Sequence, residues 1–290
     1  MIRFREVVVS GIRARLVVTV SDLLADSDAV VNCAARVAEA TDARLRVIHP
    51  LGVVGESMRT ALFGVPTLQQ RIETAARKLS KQVETVLAGA DIPREVVLDH
   101  KREESVVLDQ ALSGVADLLV TGSGRIAMML LPIASLAKVR TPLLFVPRSA
   151  RVGTPFIIQA LSQNVAPDAF LRGQRWLRTL QCVLNDGARV TDSSEFDILL
   201  CPDMGANAAA STERAIATLC GALVARDPAI AVALLPAPDD VETHAFAETV
   251  LRVLISEARC PVLAVPALPA LRAVPGLANT HTTTEPRPGL

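Results

Sequence analysis

Apolar positions along this chain fall into two kinds of run that take turns. Short blocks rich in Val, Leu and Ile read as buried strands: Leu16–Val20, Leu45–Ile48, Glu95–Leu98, Asp117–Thr121 and Leu143–Val146. Between them lie longer stretches of helical period. From Ser27, a plausible N-cap, to Ala40, the apolar residues Val30, Ala34, Val37 and Ala38 recur at helical spacing. From Thr67 to Ala88, Leu68, Ile72, Ala75, Leu79, Val83 and Val86 share one face with charge opposite, and Gly89 is a natural stop. Helices are also predicted over Glu103–Val115 and in a stretch that closes at Lys138, whereas residues 51 to about 66 read as a loop. The second half repeats the scheme. Strands are predicted at Phe156–Ile158, Phe196–Cys201, Ile230–Leu235 and Val262–Val265, and helices at Pro167–Val183, Ser211–Val224 and Val241–Ile255.

Strands alternating with helices imply an α/β protein with parallel pairing and right-handed crossovers. One phrase occurs twice, Pro142-Leu-Leu-Phe-Val-Pro147 and Pro261-Val-Leu-Ala-Val-Pro266, which points to two copies of one architecture. The expected division is a first domain over 1–150, a divergent second domain over 151–268 and a disordered Pro- and Thr-rich tail over 269–290. The halves should be separate parallel sheets joined near residues 148 to 155. Leu143–Val146 and Val262–Val265 should be edge strands facing each other, since an exposed apolar edge needs a partner. Ile198 to Asp203 can be read as the second half's first strand or its fourth. Ligands on such sheets sit at the carboxyl ends of the strands. In the first half that edge carries Ser21-Asp22, His49 and Thr121-Gly122-Ser123-Gly124.

Composition narrows the function. With seven Phe, one Trp and no Tyr, the cores must be aliphatic and stacking platforms for single-stranded nucleic acid are missing. Thirty basic and thirty acidic residues cancel, so no excess positive field exists to hold nucleic acid or an anionic membrane. The five cysteines form no C-x-x-C pair and do not cluster with the four histidines. Free thiols in a reducing cytoplasm are expected, with no metal site. No signal peptide is read at the start of the chain, and the longest uncharged apolar run, Ile126–Ala137, is too short to span a bilayer.

The first half resembles the universal stress protein family. The fingerprints are a first strand ending at an acid, the strand–Gly122-Ser123-Gly124 turn, and the closing Thr141-Pro-x-Leu-x-Val-Pro147 strand. The resemblance implies a Rossmann-like, adenine nucleotide α-hydrolase-like fold, in which the acid after strand one binds the nucleoside. The matching residue is Asp22, with Ser27 five residues on. Nucleotide-binding members carry G-x2-G-x9-G-[ST] after strand four. Here Gly122-Ser123-Gly124 is followed by nine residues and then Ala134-Ser135. The first gap is one residue short, the last glycine is alanine, and the serine is kept. An alanine forced to positive φ costs about 1 kcal/mol, and its methyl takes up phosphate space. The resemblance therefore implies a degenerate nucleotide site of Asp22, Gly122, Ser123, Gly124 and Ser135, with weak or absent ATP binding. ATP or AMP is the possible ligand. Cys260–Pro266 matches the family's last strand, and tandem members form pseudo-dimers. The second half is therefore expected to be the first half's built-in partner, with a homodimer and an unidentified protein partner also open.

Each of these residues also has a plain reading. Asp22 can compensate a helix N-terminus, the glycines can simply make a tight turn, and Ser135 can bond its own helix. His49 and His100 follow strands and have no nucleophile beside them. Met128 and Met129 can serve either a partner surface or the core. No catalytic constellation is present: no G-x-S-x-G, Walker loop or H-E-x-x-H. The sequence thus predicts a cytoplasmic stress-response or regulatory protein acting by binding. The alternative is an ATP- or AMP-binding sensor using the first-half cleft.

Overall fold

The computed structural model describes residues 13–21, 27–52, 68–122, 138–147, 156–160, 167–184, 196–199, 208–226, 230–236 and 241–267. The first half contains β1 (Leu16–Val20), α1 (Ser27–Thr41), β2 (Arg44–Pro50), α2 (Leu68–Val86), β3 (Arg94–Asp99), α3 (Glu103–Ser113), β4 (Leu118–Gly122) and β5 (Leu143–Val146). The second contains β6 (Phe156–Ala160), α4 (Pro167–Leu184), β7 (Phe196–Leu199), α5 (Ala208–Arg226), β8 (Ile230–Leu234), α6 (Val241–Glu257) and β9 (Val262–Val265). Gly89 and Gly114, at φ 88° and 63°, follow α2 and α3 in the left-handed conformation that ends a helix at least cost in glycine. The linker at 148–155, the tail beyond 268, and Met128 and Met129 lie outside the described residues.

The strands form one nine-stranded sheet in the order β3-β2-β1-β4-β5-β9-β8-β6-β7. Pairing is parallel within each half. It is antiparallel between β5 and β9, with Leu143 opposite Ala264, Leu144 opposite Leu263 and Phe145 opposite Val262. The fold is α/β and mainly parallel as expected, and the two repeated phrases do meet. The expectation of two separate sheets is corrected. The edges predicted to face each other satisfy their backbone donors and acceptors by pairing, and that pairing fuses the halves.

Both halves share a local order. The second half's β7-β6-β8-β9 repeats the first half's β2-β1-β4-β5, with no counterpart of β3 among the described residues. β7 therefore holds an outer position beside β6, and is neither a first nor a fourth strand. Its segment contains the start of the Ile198–Asp203 run, whose remaining residues lie outside the description.

Two apolar layers cover the sheet, and both run across the seam. On one face, Val106, Val107 and Ala111 of α3 join Leu219 and Leu223 of α5 and Phe246, Val250, Leu251 and Leu254 of α6. On the other, α1 and α2 join Trp176, Leu177 and Leu180 of α4. Side chains of β5 and β9 alternate between the layers as strand period demands: Leu143, Phe145, Val262 and Ala264 into the first, Leu144, Val146, Leu263 and Val265 into the second. Helix α4 packs close to the sheet at Gly173, where an added Cβ would come 2.9 Å from Leu234 Cδ2. Across the seam, the Arg36 guanidinium of α1 donates to the Val183 carbonyl in the last turn of α4, a turn with no basic residue of its own. That cation meets the negative end of the α4 dipole.

Candidate functional site

Strand order reverses between β1 and β4, so the crevice that α/β sheets use for ligands opens at the carboxyl ends of these two strands. Ser21, fully buried, is the residue after β1 and the last described one before Asp22. A polar chain fixes it. Its N–H donates to the Ile48 carbonyl at 2.9 Å. Its hydroxyl donates to Gln82 Oε1 at 2.7 Å, and Gln82 Nε2 donates to Asp28 Oδ1 at 2.6 Å. The end of β1 is thereby tied to α2 and to the first turn of α1, where an acid is favoured.

His49, half-buried in β2, lies 2.7 Å through Nδ1 from the Ser21 carbonyl. A carbonyl only accepts, so Nδ1 carries the proton of this bond. His100 follows β3 and is exposed. On β4, Thr121 is 1% exposed and its hydroxyl has no hydrogen-bond partner. Gly122 ends β4 without a positive φ, and among the described residues a Cβ there would meet Val30 Cγ2 at an ordinary 3.8 Å. Neither strain nor crowding among the described residues demands glycine at this position.

Of the five residues assigned to the nucleotide site, Gly122 is thus placed at the switch point. Asp22, Ser123, Gly124 and Ser135 lie outside the described residues. Local sequence patterns missed Gln82 and Asp28, whose bonds join residues 61 and 54 positions apart. In the second half the corresponding edge after β8 is Leu235-Pro236, apolar and without glycine. That half instead carries a buried polar row on α6. His244, 2% exposed, has no partner for either ring nitrogen, and Glu248 accepts from Arg252 through Oε1 while its Oε2 has none.

Among the described residues, no group of three or more His, Cys, Asp or Glu side chains is placed to hold a metal ion. Nor is any helix among them long and apolar enough to cross a membrane. Cys33, Cys220 and Cys260 take part in no disulfide. Burial pushes the Cys33 thiol up to about 12, against a smaller opposing pull from Arg36. Only the thiolate is a nucleophile, and at pH 8 a thiol of that pKa is about one part in ten thousand ionised. Cys33 should therefore resist iodoacetamide in the folded chain at pH 8 and react once the chain is unfolded. Peptide mapping of the labelled protein checks this, and rapid native labelling would contradict the burial.

Residues 14–135 match the model of the universal stress protein family. Three solved structures are similar to this chain. A universal stress protein in complex with cAMP shares 22% identity at a TM-score of 0.35, over 48% of this chain and 100% of its own. A universal stress protein from Archaeoglobus fulgidus shares 22% identity at 0.33, over 46% of this chain and 97% of its own. Another, from Archaeoglobus fulgidus DSM 4304, shares 10% identity at a TM-score of 0.52, over 87% of this chain and 96% of its own. This last likeness is one of fold alone, and it extends past the first half into the second. No curated protein matches the chain.

Proposed function

Since the first half of this chain, over residues 14–135, is a universal stress protein domain, we propose that the protein works in a stress response or its regulation by binding, without turnover. Its first-half nucleotide site is degenerate. The observation that carries this reading is the sequence after β4: Gly122-Ser123-Gly124, nine residues, then Ala134-Ser135. The shortened gap and the alanine remove backbone freedom and space where phosphates would approach.

In the same reading, 151–268 is a divergent second domain and the two halves are each other's partner within one chain. The repeated strand order and the β5–β9 pair support this. No cofactor, nucleic acid or membrane enters it. Cys33, Cys220 and Cys260, which take part in no disulfide, suit a reducing cytoplasm.

One pair of observations favours the alternative, an ATP- or AMP-binding sensor that uses Asp22, Gly122, Ser123, Gly124 and Ser135. Gly122 is glycine where no described residue requires it, and the Thr121 hydroxyl beside it is buried without a partner. Both fit a crevice shaped for a ligand. A melting experiment separates the readings. A ligand at a hundred times its dissociation constant stabilises a fold by about 2.7 kcal/mol. The degenerate site predicts no clear melting shift with millimolar Mg-ATP, AMP or cAMP, and no adenine nucleotide released when the purified protein is denatured. A clear shift with any of the three, abolished in Asp22→Ala, would favour the sensor. If ATP binds weakly, Ala134→Gly should tighten it.

A further inference from the structure

At the opposite end of the sheet from the crevice, the strands begin among arginines. Arg13 and Arg15 precede β1, Arg44 opens β2 and Arg46 follows on it, and Arg94 opens β3. Arg15, Leu16, Arg44, Arg46 and Pro93 line an open cleft of about 390 Å³. The ladder sets their spacing. Arg44 N–H donates to the Arg15 carbonyl at 3.0 Å, Leu45 N–H donates to the Pro93 carbonyl at 2.9 Å, and Leu16 is the register partner of Arg44. Leu45, between Arg44 and Arg46, is fully buried. Both arginines therefore project from the other face of β2, the face that Leu16 shares.

The nearby acids are already engaged. Glu95 accepts from Arg46 Nε and Nη2, each at 2.9 Å. Asp117 accepts the backbone N–H groups of Arg15 and Leu16 at 2.7 and 3.0 Å. Among the described residues, neither Arg15 nor Arg44 has an acidic partner. Two arginines with no acidic partner among the described residues thus line one cleft, together with the apolar Leu16 and Pro93.

We infer that this cleft is a second ligand site, separate from the crevice, for a small organic phosphate. A carboxylate has two oxygens and is filled by one guanidinium fork. A phosphoryl dianion has three peripheral oxygens and can accept from two forks at once, Arg15 and Arg44. Arg46, held by Glu95, adds positive field, and the ligand's apolar body rests on Leu16 and Pro93. This inference is independent of whether the crevice binds a nucleotide.

Calorimetric titration of the full chain at physiological ionic strength tests it, with phenyl phosphate as probe and benzoate as its carboxylate counterpart. Phenyl phosphate should bind and benzoate should not. Loss of one charge-assisted fork should weaken phenyl phosphate about ten- to a hundredfold in Arg44→Ala and in Arg15→Ala. Arg44→Lys, which keeps the charge and loses the fork, should also weaken it. Asp22→Ala, in the proposed nucleotide site, and Arg178→Ala, at an exposed position on α4, should leave it unchanged, and circular dichroism establishes that each variant is folded. The inference is overturned by any of four results: no binding at millimolar probe, full affinity in Arg44→Lys, a loss in Arg178→Ala equal to that in Arg44→Ala, or a loss in Asp22→Ala that Arg44→Ala lacks.

Discussion

Phe145→Ala should destabilise the whole chain by about 3–5 kcal/mol, the cost of emptying a large, well-packed core site. Phe145 is fully buried, sits opposite Val262 across the seam, and belongs to the layer that α3, α5 and α6 build together. Little of the resulting cavity can collapse, because backbone hydrogen bonds to both neighbours hold the strand in place. The sole tryptophan, Trp176, lies on α4 in the opposite layer and the other half. Its emission is therefore a remote reporter. In a urea titration, emission and far-ultraviolet circular dichroism should move to lower denaturant together. If the dichroism moves and the emission midpoint stays, the halves unfold independently and the continuous sheet is not one cooperative unit.

A second large effect is expected at the entrance to β1. The Asp117 carboxylate takes the N–H groups of Arg15 and Leu16 through one oxygen. It thereby serves the first backbone donors of a central strand. Asp117→Ala should cost about 2 kcal/mol, a figure set by charge-assisted bonds that are part-exposed. Asp117→Asn keeps a neutral acceptor oxygen and should cost less. Chemical denaturation gives both values, and equal stability of all three proteins would mean that water replaces the carboxylate without loss.

Most of the architecture was legible because it rests on local periodicity. Val262–Val265 is a strand at those residues, and α1 and α2 fall within two residues of the run read from their apolar spacing. What stayed hidden depends on long-range pairing. β7 carries an apolar run that suits any buried strand, and only its pairing with β6 gives it an outer place. Similarly, the two edge strands were visible as edges, but nothing in either phrase says that antiparallel pairing joins them into one sheet. At the site, the glycine turn stood out because glycine is rare in strands. The Ser21–Gln82–Asp28 chain did not, since a glutamine in an amphipathic helix looks like any solvated residue. Gly122 is the last residue of β4, at the end of the strand that the motif follows.

The antiparallel join between β5 and β9 has a consequence for how this molecule meets dilution. Two free chains pairing along such strands would separate as their concentration fell. Here the strands belong to one polypeptide, so each sees the other at an effective concentration set by the intervening chain, of millimolar order for a flexible link. The join is thus indifferent to how many copies are present, and a rare molecule is as fully assembled as an abundant one. Moreover, the antiparallel geometry turns the carboxyl edges of the two halves toward opposite ends of the sheet. The first-half crevice and the matching edge of the second half consequently face away from each other. Anything that engages one edge is thus separated from the other by the length of a single sheet.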